Sequence, residues 1–151
     1  MSQLEAALQV MLDAHRGQTD KAGQPYVLHP LRLMARFQDE DQRLVALLHD
    51  VVEDGDVTPA SLRALGFSEP VVVAVECLTR RSEETYEDFI ARIRPNPLAN
   101  SVKVEDIRDN LDVTRLRVLK DEDLDRVRKY WKALQQLRSE TTAVQRGAQN
   151  S

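Results

Sequence analysis

Residues 44–54 read LVALLHDVVED, an aliphatic run that ends in ionisable side chains. The aliphatic positions recur at helical spacing, so the stretch predicts a helix that is buried over most of its length. On such a helix His49 lies beside Glu53, and Asp50 lies beside Asp54, because residues four apart share a face. Buried ionised groups must be paired or bound to a metal, so this cluster predicts a binding site for a divalent cation.

A dry core is the alternative interpretation of the same residues. An adjacent His-Asp pair, here His49 and Asp50, can be satisfied by hydrogen bonds inside a helical core. Glu53 and Asp54 add two acids within the next turn. Burying three carboxylates beside one imidazole in a dry core would cost too much free energy. The metal site is therefore favoured over the core pair.

Composition favours a single all-α domain. The chain has 151 residues, of which 42% are hydrophobic, with only five glycines and six prolines. This length is enough for one sizeable core, and the abundance of Leu, Ala, Arg and Glu favours helix over sheet. We predict one helical domain over residues 1–140 and a flexible polar tail over residues 141–151.

Charge and hydropathy exclude several classes of partner. A formal net charge of -4 argues against general nucleic-acid binding, which needs a basic surface. The chain has no apolar run long enough to cross a membrane and no secretory signal at its N-terminus. We therefore expect a soluble, cytoplasmic protein that binds neither nucleic acid nor membrane. The single cysteine, Cys77, is expected to pack as a small hydrophobe.

Capping and breaking residues divide the chain into about eight helices. Ser2 and Glu5 form a capping box for the first helix, which Gly17 stops. Pro30 fits the first position of the second helix, which places His29 near the N-cap. The other helices are predicted over 44–54, over 58–66, over 70–78, over 82–94, from Leu98 through Leu111, and over 121 to about 140, the last with Leu124, Val127, Tyr130, Trp131, Leu134 and Leu137 inward.

A metal held by His49 and Asp50 alone would be underligated, so further ligands must come from elsewhere in the chain. The candidates are His29, beside a rigid proline, and Asp106. Two imidazoles and two carboxylates suit a catalytic Mn²⁺, Zn²⁺ or Fe²⁺ and leave positions for water or a phosphate oxygen. His15 could also be a ligand, but a histidine in the last turn stabilises the negative end of its helix, and we favour that role.

Four motifs in a fixed order carry a resemblance to a known family. They are AHRGQ at 14–18, GQPYVLHP at 23–30, LLHDVVED at 47–54 and VKVED at 102–106, followed by Asn110. They resemble the HD superfamily of metal-dependent phosphohydrolases and, within it, the alarmone hydrolase domains of the RelA/SpoT group. The resemblance is nearest to the stand-alone small alarmone hydrolases and covers about residues 4–135. It implies that residues 1–140 fold as an all-helical HD bundle.

The resemblance also implies roles for individual residues. It makes Mn²⁺ the expected ion, and it makes Glu53 and Asp54 the pair that positions or activates the attacking water. Phosphoester hydrolysis needs charge neutralisation and an activated water, which one metal and a nearby carboxylate can supply. The metal ligands implied are His29, His49, Asp50 and Asp106.

Substrate contacts are implied in the same way. Arg126 and Tyr130 match an Arg-x-x-x-Tyr feature that contacts the substrate's second phosphate group. Asn110 is expected to hold the ribose or the scissile phosphate, and Lys21 and Lys103 are expected to contact phosphate or base. The basic run on the last helix could equally be a solvated face; its members are Arg126, Arg128, Lys129 and Lys132.

The chain departs from the family pattern at several positions. Asp20-Lys21 stands where the family usually has Arg-Lys, so an acid replaces the arginine that packs on guanine. An aspartate can accept hydrogen bonds from a base, which makes adenine alarmones credible. Gly55 replaces a usual Thr or Asn. Glu105 and Asp109 make the last motif unusually acidic, and such acids can bind a metal or repel a polyphosphate.

These observations predict a metal-dependent 3′-pyrophosphohydrolase that acts on (p)ppGpp or a related alarmone such as (p)ppApp. One alternative keeps the chemistry but changes the substrate to a nucleotide monophosphate or to the 2′-phosphate of NADPH. Another alternative is a catalytically silent nucleotide-binding module. The sequence leaves the oligomeric state open.

Overall fold

Polar capping residues begin many of the helices. Ser2 and Glu5 form the predicted capping box, in which each side chain accepts the backbone N–H of the other residue. Thr58, Thr85 and Asn96 each accept the backbone N–H three residues further on. These caps satisfy amide groups that the first turn of a helix leaves unpaired, so the local sequence determines where these helices start.

The computed structural model describes residues 1–54 and 56–149, without the side chains of Asp54 and of residues 140–149. The regular elements in this part of the chain are helical, and none is a strand, which confirms the predicted all-α fold. None of the described helices is both long enough and apolar enough to span a bilayer. The predicted tail lies beyond the described side chains and stays a prediction. The elements are α1 (Gln3–Ala14), α2 (Leu28–Ala35), α3 (Glu40–Leu48), α4 (Val51–Asp54), α5 (Pro59–Ala64), α6 (Glu69–Cys77), α7 (Tyr86–Ile93), α8 (Pro97–Asn110), a 3₁₀ turn (Val113–Arg115) and α9 (Asp121–Gln149).

Helix α3 lies at the centre of the bundle. Its residues 44–48 are completely buried, and it packs against α1, α2, α6 and α8. Full burial of one Leu or Val side chain contributes roughly 1.5–3 kcal/mol, so this aliphatic run favours the central position. Helix α6 is one of its neighbours, and its buried residues are Val71, Val72, Ala74 and Val75.

The stretch 44–54 is not the single helix that its periodicity predicts. Helix α3 ends at Leu48, His49 and Asp50 form a turn, and α4 begins at Val51. Nδ1 of His49 lies 2.8 Å from the Ala46 carbonyl oxygen, an acceptor that a continuing helix would offer to the next turn. The prediction of one continuous helix over 44–54 is therefore wrong, because the helix is interrupted at His49 and Asp50.

Helix α2 begins earlier than predicted. Its N-cap is Val27 and its first residue is Leu28, so His29 lies near the N-cap as predicted, but inside the first turn. Pro30 is accommodated there because the first amide groups of a helix have no intrahelical acceptor. The consequence is that the backbone of a regular helix, rather than a loop, holds His29.

Two further expectations are corrected at α7 and α9. Helix α7 begins at Tyr86 and not four residues earlier, since Thr85 caps it. On α9, Leu124 and Trp131 were predicted to face inward, but they are 38% and 57% exposed. Leu134 is buried as predicted. Only part of the apolar stripe on α9 therefore contacts the bundle.

Candidate active site

Side chains from three segments meet at the C-terminal end of α3. His29 comes from α2, His49 follows α3, and Asp106 comes from α8. One donor atom of each residue lies within 4.8 Å of the other two. Nε2 of His29 is 2.8 Å from Asp106 Oδ1, and Nε2 of His49 is 3.5 Å from the same oxygen. Two imidazoles and a carboxylate form a donor set that fits a divalent metal, so three of the four predicted ligands are brought together.

Asp50, the fourth predicted ligand, lies at the edge of this group. Its Oδ2 is 3.8 Å from Nε2 of His49 and accepts a hydrogen bond from the Tyr26 hydroxyl. Its Oδ1 lies 3.1 Å from Nε2 of His15, which is completely buried. His15 therefore contacts a predicted ligand, a role that the sequence did not favour. Tyr26 was also missed, although it stands inside the motif at 23–30.

Each histidine of the group has its second ring nitrogen engaged by the protein. Nδ1 of His49 faces the Ala46 carbonyl, and Nδ1 of His29 lies 2.6 Å from Asp109 Oδ2. Metal-binding histidines commonly donate this second N–H to a carbonyl or a carboxylate, which fixes the ring and its tautomer. Both rings consequently present Nε2 toward Asp106.

Asp109 is completely buried and lies among three arginines. Arg32 of α2 and Arg36, the C-cap of that helix, lie 3.0 and 2.9 Å from its carboxylate oxygens, and Arg115 lies at 3.5 Å. Burial alone would raise the pKa of Asp109, but the contacts with His29 and Arg32 hold it below its ordinary value. The sequence suggested only that this acid might bind a metal or repel phosphate. The signal for its actual partners was the spacing of Arg32 and Arg36, four apart at the C-terminal end of α2.

Neighbouring charges control protonation in the group. Burial alone would raise the pKa of Asp106, but the Lys103 ammonium, 2.9 Å from its Oδ2, and the two histidines hold it well below the usual range. Burial alone would lower the pKa of His49, but the charges of Asp50 and Asp106 raise it to about 9. The ionised acids therefore draw a positive charge, a proton or a metal ion, to His49.

Glu53 and Asp54, the predicted water-activating pair, belong to α4. Glu53 is exposed, and its Oε1 accepts the backbone N–H of Arg80 at 2.7 Å. The Asp54 side chain lies outside the described residues. Glu53 is thus tied to the segment that follows α6, and the catalytic role of the pair stays a prediction.

A cleft of about 340 Å³ opens beside His29. Arg32 and Arg115 contribute cations to its wall, whereas Lys103 is not part of the wall and binds Asp106 instead. The volume falls within the usual range for small-molecule sites. The wall also includes the other predicted substrate contacts: Asp20, Lys21, Asn110, Arg126 and Tyr130.

One contact joins this cleft to the metal-ligand group. Asn110 Nδ2 lies 3.3 Å from Asp106 Oδ1, so the cleft adjoins the predicted ligands directly.

Two cations of the cleft wall, Arg126 and Lys21, lie close enough to influence each other. Arg126 is paired with Asp123. Burial lowers the pKa of Lys21, and the positive charge of Arg126 adds to this effect. An anionic ligand in the cleft would meet both cations.

Asp20 folds the loop in which it stands. Its Oδ1 accepts the N–H groups of Ala22 and Gln24, both at 2.9 Å. Gly23 adopts a φ of 80° in the same turn, a conformation that favours glycine. Aspartate is well suited to such a turn because its short side chain reaches nearby backbone amides. The acid at this position therefore has a local structural role, whatever it does toward a base.

Known proteins resemble this chain in sequence and in fold. A guanosine-3′,5′-bis(diphosphate) 3′-pyrophosphohydrolase of Aquifex aeolicus is 30% identical over 139 residues, which is 84% of this chain and 20% of that protein. The Vibrio cholerae protein of the same name is 39% identical over 93 residues, 57% of this chain and 13% of that protein. A solved structure, described as a metazoan orthologue of SpoT that hydrolyses ppGpp, matches with a TM-score of 0.72 and 25% identity, covering 91% of this chain and 85% of that one. No protein-family model matches the chain.

The chain belongs to the RelA/SpoT-type hydrolase domains. It spans only 13% and 20% of the length of the two bacterial relatives, so the likeness concerns one part of those proteins. In this RelA/SpoT-type domain, His29, His49 and Asp106 have the donor types expected in a metal-dependent hydrolase.

Proposed function

We propose that this chain hydrolyses the 3′-pyrophosphate of an alarmone, (p)ppGpp or (p)ppApp, and releases pyrophosphate. The observation that carries the proposal is that the group of His29, His49 and Asp106 adjoins a cleft whose wall contains several cations. A polyanionic nucleotide needs positive charge along its phosphates and a cation at the reacting phosphoryl group. The names of the bacterial relatives support this substrate class.

The metal in this proposal is Mn²⁺. When bound, a divalent cation supplies charge that neutralises phosphoryl oxygens and favours the ionisation of water. A mixed set of nitrogen and oxygen donors suits Mn²⁺, and other divalent ions can use the same donors. The residues proposed to hold the ion are His29, His49, Asp50 and Asp106.

The remaining residues of the site bind the substrate and move a proton. Glu53 and Asp54 are proposed to orient the attacking water and to accept its proton, as carboxylates close to a reaction centre can. Asn110 adjoins Asp106 and is proposed to donate to the ribose or to the scissile phosphate. The proposed contacts to phosphate or base are Lys21, Lys103, Arg126 and Tyr130.

Asp20 bears on the choice between guanine and adenine. Its Oδ1 is engaged within the loop, whereas no hydrogen bond to Oδ2 is formed by the part of the chain that the structure describes. A carboxylate oxygen can accept a hydrogen bond from the amino group of adenine. Guanine carries a carbonyl at the same ring position, and the carboxylate repels that oxygen. Adenine alarmones therefore stand beside guanine alarmones in the proposal.

The test is a product analysis with purified protein and Mn²⁺. The panel contains ppGpp, pppGpp, ppApp, NADPH and dGTP, and the products are separated by ion-exchange chromatography. Release of pyrophosphate from an alarmone is the expected result, and the ratio of adenine to guanine turnover measures the base preference. A parallel sample with EDTA tests the need for a metal.

Other outcomes distinguish the alternatives. Inorganic phosphate from NADPH, or from a nucleotide monophosphate added to the panel, would replace the proposal with a different phosphohydrolase. Alarmone binding in the presence of Mn²⁺ without turnover would replace it with a silent binding module. A cytoplasmic location, which rests on composition, stays a prediction.

A further inference from the structure

The Tyr86 hydroxyl is a buried polar group that lacks a hydrogen-bond partner among the described residues. Leaving such a group unpaired costs roughly 1–3 kcal/mol, so its position calls for an explanation. Burial raises the pKa of Tyr86 to about 12, even though the nearby Lys103 ammonium acts in the opposite direction. At neutral pH the group is therefore a neutral hydroxyl that can donate a hydrogen bond.

Two cations lie close to the ring of the same tyrosine. Nζ of Lys129 is 4.0 Å from the ring centroid, and Cζ of Arg80 is 5.7 Å from it. The Arg80 Nε donates to the Glu84 carbonyl, and among the described side chains, those of residues 1–53 and 56–139, neither cation has a carboxylate at ion-pair distance. Burial lowers the pKa of Lys129, and the positive charges of Arg80 and Lys103 lower it further.

This arrangement gathers like charges that an anion would stabilise. Cation–π contacts contribute only about 0.5–1 kcal/mol at exposed sites, and they leave the positive charges of Lys129 and Arg80 without a counter-ion among the described side chains. A phosphate oxygen placed beside them would accept from the Tyr86 hydroxyl and neutralise Lys129 and Arg80 together. Both cations are exposed, and lysine and arginine side chains have several rotatable bonds, so they can move to admit a ligand to the hydroxyl.

The location connects these residues with the proposed active site. Tyr86 contacts Tyr130, with ring centroids 6.3 Å apart, and Tyr130 is part of the cleft wall. The backbone N–H of Arg80 donates to Glu53, the proposed water-activating residue. The wall of the cleft does not include Tyr86, Lys129 or Arg80. These three residues therefore border the site from a side that the cleft does not cover.

We propose that Tyr86, Lys129 and Arg80 form a second phosphate-binding position next to the metal-ligand group. It rests on the proposed function for its substrate, and its ligand is a phosphate group of the nucleotide or of the pyrophosphate released from it. Tyr86 donates a hydrogen bond to a phosphate oxygen, and the two cations neutralise its charge. Lys129 thereby differs from Lys132, an exposed lysine of the same helix that has no such surroundings.

Calorimetric titration of the Mn²⁺-loaded protein with inorganic pyrophosphate tests the proposal directly. Tyr86→Phe and Lys129→Gln are each expected to raise the Kd about tenfold, the usual cost of losing a hydrogen bond or a contact to a charged group. Lys129→Arg is expected to retain binding, and Lys132→Gln serves as the matched control. The steady-state KM for the alarmone is measured on the same variants.

A stability measurement separates binding from structure. Tyr86→Phe keeps the ring and removes only an unpartnered hydroxyl, so its Tm is expected to equal or exceed that of the parent protein. A lower Tm together with an unchanged Kd for pyrophosphate and an unchanged KM would make Tyr86 a purely structural residue and overturn the proposal.

The two sources of phosphate give different results. A raised Kd for pyrophosphate assigns the position to the departing group, whereas a raised KM with an unchanged Kd assigns it to another phosphate of the nucleotide. If the Kd and the KM both stay at the parent values in Tyr86→Phe and Lys129→Gln, the proposal is wrong. Failure of the parent protein to hydrolyse any alarmone would reject the proposed function alone, since the pyrophosphate titration needs no turnover.

Discussion

Nδ1 of His29 and Oδ2 of Asp109 lie 2.6 Å apart across 80 residues of sequence. The contact joins the first turn of α2 to the last turns of α8 and is surrounded by Arg32, Arg36 and Arg115. A carboxylate in this position orients the imidazole and makes its other ring nitrogen, Nε2, a stronger ligand for a cation. Asp109 therefore acts on the predicted metal site through His29.

Asp109→Asn is expected to weaken Mn²⁺ binding by about tenfold or more, because the amide keeps the shape of the side chain but removes its charge. Calorimetric titration with Mn²⁺ measures the effect without relying on turnover. Asp112→Asn is the control, since Asp112 pairs with Arg115 but is exposed. Equal Mn²⁺ affinity in the two variants would show that Asp109 has no influence on the metal.

Asp50→Ala is expected to abolish turnover and to weaken Mn²⁺ binding, because Asp50 Oδ2 lies only 3.8 Å from the proposed donor atom of His49. Far-ultraviolet circular dichroism should remain helical, since Asp50 follows the end of α3 and is not part of its core. Asp13→Ala, at an exposed acid of α1, is the control. Unchanged turnover would remove Asp50 from the site.

Glu53→Gln is expected to keep Mn²⁺ bound and to lower kcat by roughly 10²–10⁴, the usual contribution of a general base. The amide oxygen of glutamine can still accept the Arg80 N–H that Glu53 accepts at 2.7 Å, so the local structure should persist. Glu83→Gln is the exposed control. Loss of Mn²⁺ together with the rate would reassign Glu53 as a metal ligand.

The metal-depleted protein should lose stability as the pH rises from 6.5 to 9. The folded pKa of His49 is about 9 against an ordinary 6.5, so its contribution is fully present below pH 6.5 and disappears as the pH passes the folded value. The unfolding free energy should fall by roughly 1–3 kcal/mol over this window. Asp106 acts at acidic pH. Its pKa is lowered in the folded protein, so it contributes stability above its ordinary pKa of 3.8, and this contribution is lost as the pH falls through the folded value.

Urea denaturation at several pH values after EDTA treatment measures this slope. A metal competes with the proton for neutral imidazole, so the increase in Tm caused by Mn²⁺ should be larger at high pH than at pH 6.5. His49→Gln should flatten the slope of the EDTA-treated protein. A parent protein whose stability does not change across the window would contradict the protonation assigned to His49.

Asp20→Asn and Asp20→Arg separate the two roles of Asp20. Asparagine can still accept the N–H groups of Ala22 and Gln24, whereas arginine cannot, so Asp20→Arg should lose about 1–2 kcal/mol of stability and Asp20→Asn less. Urea denaturation measures this difference. The ratio of kcat/KM for ppApp and ppGpp should move toward guanine in Asp20→Arg, and an unchanged ratio would remove Asp20 from base recognition.

Much of the fold could be predicted because its signals are local. The caps at Ser2 and Thr58 act within one turn, and the aliphatic runs of α3 and α6 mark the buried helices directly. One error arose at the end of α3, where a turn replaces the predicted continuous helix. The His49 contact with the Ala46 carbonyl accompanies the end of α3, and no periodicity in 44–54 reveals it.

The candidate site divides along the same line. The types of its residues, and the resemblance that their order carries, followed from the sequence, and three predicted ligands, His29, His49 and Asp106, do converge. The partners of those residues could not be predicted from the sequence. Asp109 was expected only to make the last motif more acidic, and Tyr26 was expected to be an ordinary loop residue.

The sequence by itself determined that this protein is helical, where most helices lie, and which side chains are candidates for a metal. Short-range forces account for this, since capping, helical periodicity and burial of aliphatic runs act over a few residues. Only the tertiary structure decided that Asp109 holds His29 and that Tyr86 lies beneath Lys129. Those pairs join helices far apart in the chain, and packing of the whole bundle sets their distance and burial, on which their chemistry depends.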